Sequence, residues 1–149
     1  MARLIKLIAT CFYLGFIPFA PGTFGSLFGL GIYSLIYSNH ILYMAVTLLF
    51  VCLGFLSCGL AEKIFGQKDP KQIVIDEAAG LLVTLFLIPP KIIYLISGFL
   101  LFRLFDIIKP YPLRKLEKIN CASGIMLDDL GAAVYTNLIL QCFLFLKNT

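Results

Sequence analysis

Five apolar segments, at about 24–37, 41–61, 75–88, 92–108 and 125–146, leave this chain little choice of structure. A backbone surrounded by lipid has to satisfy its N–H and C=O groups within its own segment, so uniformly apolar stretches of this length are helices. Pro and Gly punctuate the boundaries, and Pro89-Pro90 makes a tight turn between the third and fourth segments. Hydrophobic residues make up 60% and charged residues 13% of the 149, with a mean hydropathy of +0.98, which lies outside what a soluble domain with a solvated surface carries. The polar stretches, 67–72 and 114–123, are too short to fold separately. The expectation is an all-α, multi-pass helical membrane bundle of about five transmembrane helices, with residues 1–149 forming a single integral-membrane domain.

The first seventeen residues put Arg3 and Lys6 ahead of an apolar run. No small-residue cleavage site follows, so this is expected to be an N-terminal amphipathic or short membrane helix rather than a cleaved signal. The net charge of +4 does not point to nucleic acid, because the basic residues flank apolar spans and form no stripe with interleaved stacking aromatics. Five cysteines, Cys11, Cys52, Cys58, Cys121 and Cys142, have no metal-ligand spacing and read as small buried hydrophobes. The single histidine, His40, falls in a short connector next to Asn39 and argues against histidine-based phosphatase chemistry.

Counting spans fixes which loops share a side. One loop carries Lys63, Lys68 and Lys71, and another carries Lys109, Arg114, Lys115 and Lys118; two spans separate them, so they face one compartment. By the positive-inside rule that compartment is the cytoplasm, and the segment from Phe19 to Ser26 returns to the same side.

Five of the eight acidic residues, Asp76, Glu77, Asp106, Asp128 and Asp129, adjoin these apolar segments, all at the cytoplasmic ends. Charge is costly there without a partner. If the third and fourth segments are continuous helices to Pro89 and Pro90, Asp76 and Asp106 lie roughly 20 to 24 Å from their far ends, just beneath the cytoplasmic interface of a hydrocarbon core of about 30 Å. Carboxylates from three helices suit a hard divalent cation, which takes oxygen ligands and shares them with substrate phosphate. Asp76, Asp106 and Asp129 are the leading candidates as ligands, with Glu77 or Asp128 as a further ligand or the base that orients water. Arg103 and Lys109, three residues either side of Asp106, are candidates to stabilise charge on a transferring phosphoryl group.

Plainer readings stand beside these. Arg103 and Asp106 can be an intrahelical ion pair at a helix end, and the Asp76-Glu77 and Asp128-Asp129 pairs can serve helix N-termini. The loop containing Gly22, Thr23 and Ser26 offers backbone N–H groups and hydroxyls ahead of a helix, where phosphate can bind, whereas Gly25 and Gly29 equally suit close helix packing.

Four stretches, APGTFGSL from Ala20, IVIDEAAG from Ile73, FRLFDIIKPYPLRKLE from Phe102 and GIMLDDLGAAVYTNL from Gly124, together resemble bacterial phosphatidylglycerophosphatase A in order and spacing over nearly the whole chain. The resemblance implies a Mg2+-dependent phosphatase of the bacterial inner membrane that removes the terminal phosphate of phosphatidylglycerophosphate. It implies an acidic centre of Asp76, Glu77, Asp106, Asp128 and Asp129, with Asp76, Glu77, Asp106 and Asp129 toward the metal. Thr23, Lys109 and Arg103 would lie near the phosphate; Gly22 and Ser26 join them as substrate-binding candidates from the loop itself, and the headgroup is expected to be read through Arg114, Lys115 or Tyr111. Direct water attack and a phospho-aspartate route both stay open. Two rival classes are a small membrane transporter, whose acids would line a path across the bilayer, and a structural subunit of a membrane complex, whose acids would merely cap helices.

Overall fold

The computed structural model describes residues 1–111, 113–116 and 122–148, and all of its regular secondary structure is helical. In chain order the helices are α1 (Ala2–Ala9), a 3-10 turn (Leu14–Phe16), α2 (Pro21–Ile36), α3 (His40–Phe65), α4 (Ile75–Thr84), α5 (Ile92–Ile108), α6 (Leu113–Leu116) and α7 (Ala122–Asn148). Cys121 and Lys118 fall outside the described residues.

Two of these helices are long and apolar enough to cross a membrane, His40–Phe65 and Gly124–Lys147. Only 22% and 28% of their most apolar windows are buried within the protein, so they are not the sequestered core helices of a soluble fold. Their outward faces carry Leu48, Leu49, Leu56 and Leu60 on α3 and Leu138, Phe143 and Leu146 on α7, all exposed. Apolar surface of that extent needs an apolar surrounding. Among the cysteines, Cys11 and Cys58 are buried as expected, whereas Cys52 and Cys142 sit on these outward faces and are exposed.

The expected third span departs most from its sequence reading. Only residues 75–84 are helical, about 15 Å at 1.5 Å per residue, and the chain then passes through turns to Pro89, with Leu87 in the left-handed region at φ +57. The adjacent Pro89-Pro90 lacks two backbone donors and biases the preceding residue away from helix, so the helix ends early.

This short helix is the centre of the molecule. Eight of its ten residues are buried, and both apolar cores draw on it: Leu81, Leu82 and Leu85 meet Tyr33, Tyr43, Phe102 and Leu140 in one, and Ile75, Ala78 and Ala79 meet Ala9, Cys58 and Met126 in the other. Its start is tied to the N-terminal segment, where the Val74 N–H donates to the Ala9 carbonyl at 2.9 Å and the Cys11 thiol lies 3.8 Å from the Val74 carbonyl. The chain there makes three consecutive left-handed residues, Cys11, Phe12 and Tyr13, to turn from α1 toward α2.

Helix α2 approaches α4 through its glycines. A Cβ at Gly25 would lie 2.7 Å from the Val74 carbonyl oxygen, and one at Gly29 would lie 2.6 Å from that of Ala78, both backbone atoms with little room to move. Close packing is therefore what this Gly-x-x-x-Gly pair does. The matched substitutions Gly29→Ala and Gly31→Ala test it. Gly31 has no heavy atom within 4 Å of a built Cβ. Thermal unfolding in detergent, followed by circular dichroism, is expected to show Gly29→Ala destabilised by about 1–3 kcal/mol through overpacking, while Gly31→Ala is neutral or stabilised by its helix propensity. Equal behaviour of the two would contradict this packing.

Candidate active site

Asp76 and Glu77 occupy the first turn of α4, Arg103 and Asp106 the last turns of α5, and Asp128 and Asp129 the second turn of α7. Because α7 begins at Ala122, Asp128 and Asp129 lie inside the helix and do not cap it. Asp76 does serve its own helix start in part, since its Oδ1 accepts from the Glu77 N–H at 3.0 Å.

One oxygen from each of Asp76, Glu77 and Asp129 lies within 4.8 Å of the other two, a spacing that one metal ion can bridge. Asp76 and Asp129 are buried, at 6% and 4% exposure, and Glu77 is half-buried. Three oxygens inside this region, Glu77 Oε2, Asp128 Oδ1 and Asp129 Oδ2, are buried and accept no hydrogen bond among the described residues. Buried acceptors without partners are rare and costly, and an all-oxygen donor set of this kind fits a hard divalent cation. The residues present therefore fit a metal site.

Two cations border the acids. Arg103 Nη1 donates to Asp106 Oδ2 at 2.7 Å and lies 3.8 Å from Glu77 Oε1, so the expected intrahelical pair exists and also reaches across to α4. Lys109 pairs across to α7, with Asp128 Oδ2 at 2.5 Å. That reach follows from Lys109 being the C-cap of α5 in the left-handed conformation, φ 47, which turns the chain toward α7. Asp106 stands beside the cluster, next to Asp129, with one oxygen committed to Arg103.

Among the α2 residues, Gly22 comes nearest to these groups. A Cβ there would collide with Glu77 Oε1 and lie 3.1 Å from both terminal nitrogens of Arg103, so glycine is what lets these two side chains sit against α2. Thr23 is half-buried one residue further on. Ser26 is fully buried and donates to the Gly22 carbonyl at 3.0 Å, so its hydroxyl is spent on its own helix. Arg114 is exposed and donates to the Ile108 carbonyl at 3.3 Å, finishing the end of α5. Beside it, the Lys115 ammonium lies over the Tyr111 ring at 4.9 Å.

Sequence reasoning missed the residues that hold α4 from its other end. Tyr43 donates to the Leu82 carbonyl, Tyr33 to that of Ile88 at 2.6 Å, Asn137 to those of Thr84 and Phe86, and Gln141 to that of Phe86 at 3.2 Å. The available signal was the amide pair Asn137 and Gln141, one turn apart within an apolar segment.

The profile of the family described as phosphatidylglycerophosphatase A matches residues 7–144. A Haemophilus influenzae protein named phosphatidylglycerophosphatase A is 39% identical over 135 residues, covering 88% of this chain and 83% of that one. The Escherichia coli protein of the same name is 35% identical over 131 residues, covering 86% and 76%. A Bacteroides thetaiotaomicron protein, whose assigned name proposes a phosphatidylinositol-3-phosphatase, is 37% identical over 139 residues, covering 87% of each chain. No solved structure matches. With the family profile spanning nearly its full length, the chain belongs to the phosphatidylglycerophosphatase A family.

Proposed function

We propose that this protein is a Mg2+-dependent lipid phosphatase of the bacterial inner membrane, hydrolysing the terminal phosphate monoester of phosphatidylglycerophosphate to phosphatidylglycerol and phosphate at the cytoplasmic face. The observation that carries the reading is the convergence of Asp76, Glu77 and Asp129 within 4.8 Å, with unpartnered buried oxygens, in a member of this family. In this reading all five apolar segments enter the bilayer, α3 and α7 crossing it as continuous helices and α4 completing its passage as turns.

Asp76, Glu77 and Asp129 would hold the metal, with Asp106 adjoining them. When bound, Mg2+ polarises the phosphoryl group and offsets its charge. The chain's own residues do the remainder. Arg103, steered by Asp106, presents its guanidinium to the phosphate oxygens, where a planar fork binds two at once. Lys109 adds a second positive charge from the opposite side, fixed by Asp128 Oδ2. The other oxygen of Asp128 has no partner among the described residues and is the acceptor available to orient water. The missing side chain at Gly22 lets Glu77 and Arg103 pack directly against α2.

The name of the Bacteroides relative supports a second substrate, a phosphoinositide monoester. The transporter reading is less well supported, because the carboxylates gather at one end of α4, α5 and α7 and the far end of α4 is met by neutral amides and tyrosine hydroxyls.

Phosphate release by purified protein from phosphatidylglycerophosphate, phosphatidylinositol 3-phosphate and phosphatidic acid tests the activity and ranks the substrates. Release is expected to need Mg2+, to stop with chelator, and to fall about 100- to 1,000-fold in Asp76→Asn, Glu77→Gln and Asp129→Asn. Ser26→Ala is expected to stay within a few-fold of wild type. Well-folded wild type that releases no phosphate from any of the three would refute the reading.

Sidedness has its own test. In a variant with the native cysteines replaced, Gln67→Cys is expected to react with a membrane-impermeant maleimide only in inverted vesicles, and Ser38→Cys only in right-side-out ones. The reverse pattern would move the site to the outer face.

A further inference from the structure

Helix α4 ends at Thr84, roughly half a hydrocarbon thickness from its start, and so opens its last carbonyls where water is scarce. Of the four side chains that donate to this end, Asn137 is the one that bridges two carbonyls. Its Nδ2 donates at 2.9 Å to Thr84, the last helical residue, and at 2.8 Å to Phe86 in the turn beyond. Both partners are acceptors, so only the amide orientation with nitrogen toward α4 forms bonds.

The position of this bridge matters for the site. Thr84 follows Asp76 by eight residues, and Asn137 follows Asp129 by eight. Helices α4 and α7 pair in the same direction, Asp76 beside Asp129 at one end and Thr84 beside Asn137 at the other. Equal steps along parallel helices mean that the bond at Thr84 holds the register that brings the two carboxylates together. A slip of one residue is about 1.5 Å, whereas metal–ligand distances tolerate only about 0.2 Å.

We propose that Asn137 is a positioning residue for the carboxylate site: by bridging Thr84 and Phe86 it sets the axial register of α4 against α7, and with it the metal affinity of Asp76, Glu77 and Asp129. The metal half of this statement rests on the function proposed above, and the register half does not. Asn137 touches neither metal nor substrate.

The test uses full-length protein with Asn137→Leu, which keeps the volume and removes the donor. The control is Thr136→Val, whose buried hydroxyl bonds only to the Ala132 carbonyl of its own helix. Hydrogen exchange without metal reads the register. Asn137→Leu is expected to speed exchange at amides 76–80 as well as 85–88, and Thr136→Val at neither; acceleration confined to 85–88 would overturn the proposal.

Mg2+ binding, read from the thermal shift against metal concentration, is expected to weaken about tenfold or more in Asn137→Leu. Phosphate release should recover to within a few-fold of wild type at saturating Mg2+. Lower thermal stability with unchanged Mg2+ affinity would also overturn the proposal. Wild type that binds Mg2+ but releases no phosphate would refute the phosphatase reading alone. If Asn137→Leu yields no folded protein, Gln141→Leu, which removes only the 3.2 Å bond to Phe86, decides by the same exchange pattern.

Discussion

Five carboxylates share one end of three helices with two cations, and much of the architecture answers that imbalance. Arg103 holds Asp106 and reaches Glu77 at 3.8 Å, while Lys109 holds Asp128, and Asp106 and Asp128 stand outside the tightest group. Asp76, Glu77 and Asp129 are left facing one another, two of them buried. Like charges at such separations repel strongly in a poorly screened environment. What keeps them together is the rigidity of the helices that carry them, and what would relieve them is a cation of higher charge.

That rigidity centres on α4. The helix is too short to be held by a bilayer at both ends, so the protein holds it by other means. At its start the N-terminal segment grips Val74 from both backbone directions, and glycines of α2 bring that helix close against its side. At its finish, tyrosines from α2 and α3 and amides from α7 satisfy carbonyls that lipid cannot. The acidic pair in its first turn therefore sits on a small, enclosed rod whose two ends are both fixed.

The sequence makes some of this legible for clear physical reasons. Charge beside long apolar segments is conspicuous, and it singled out Asp76, Glu77 and Asp129, which the fold brings together. The boundaries of α5 followed from apolar length and from Pro110, whereas α3 runs four residues past its apolar segment, to Phe65. Partner choice was less accessible. The pairing of Lys109 with Asp128 depends on a left-handed residue at a helix end, which no composition rule identifies in a lysine. The early end of α4 was hidden because Leu85, Phe86 and Leu87 are as apolar as the helix before them, and hydropathy does not distinguish helix from turn. Likewise the hydroxyl of Ser26 looked available for phosphate, and only its rotamer, bonded back to Gly22, reveals otherwise.

The grip of residues 9–11 on Val74 also sets an order of assembly. During synthesis the first helix emerges some sixty residues before the backbone it binds, and the acids of α7 emerge about fifty residues after those of α4. Glu77 has Arg103 available midway, but neither Asp129 nor the amides that close the far end of α4 exist until the last helix is made. A chain interrupted before that helix would carry an acidic pair on a helix with one open end, and no means of presenting the full constellation to a cation. The final helix is thus the element that completes the carboxylate cluster.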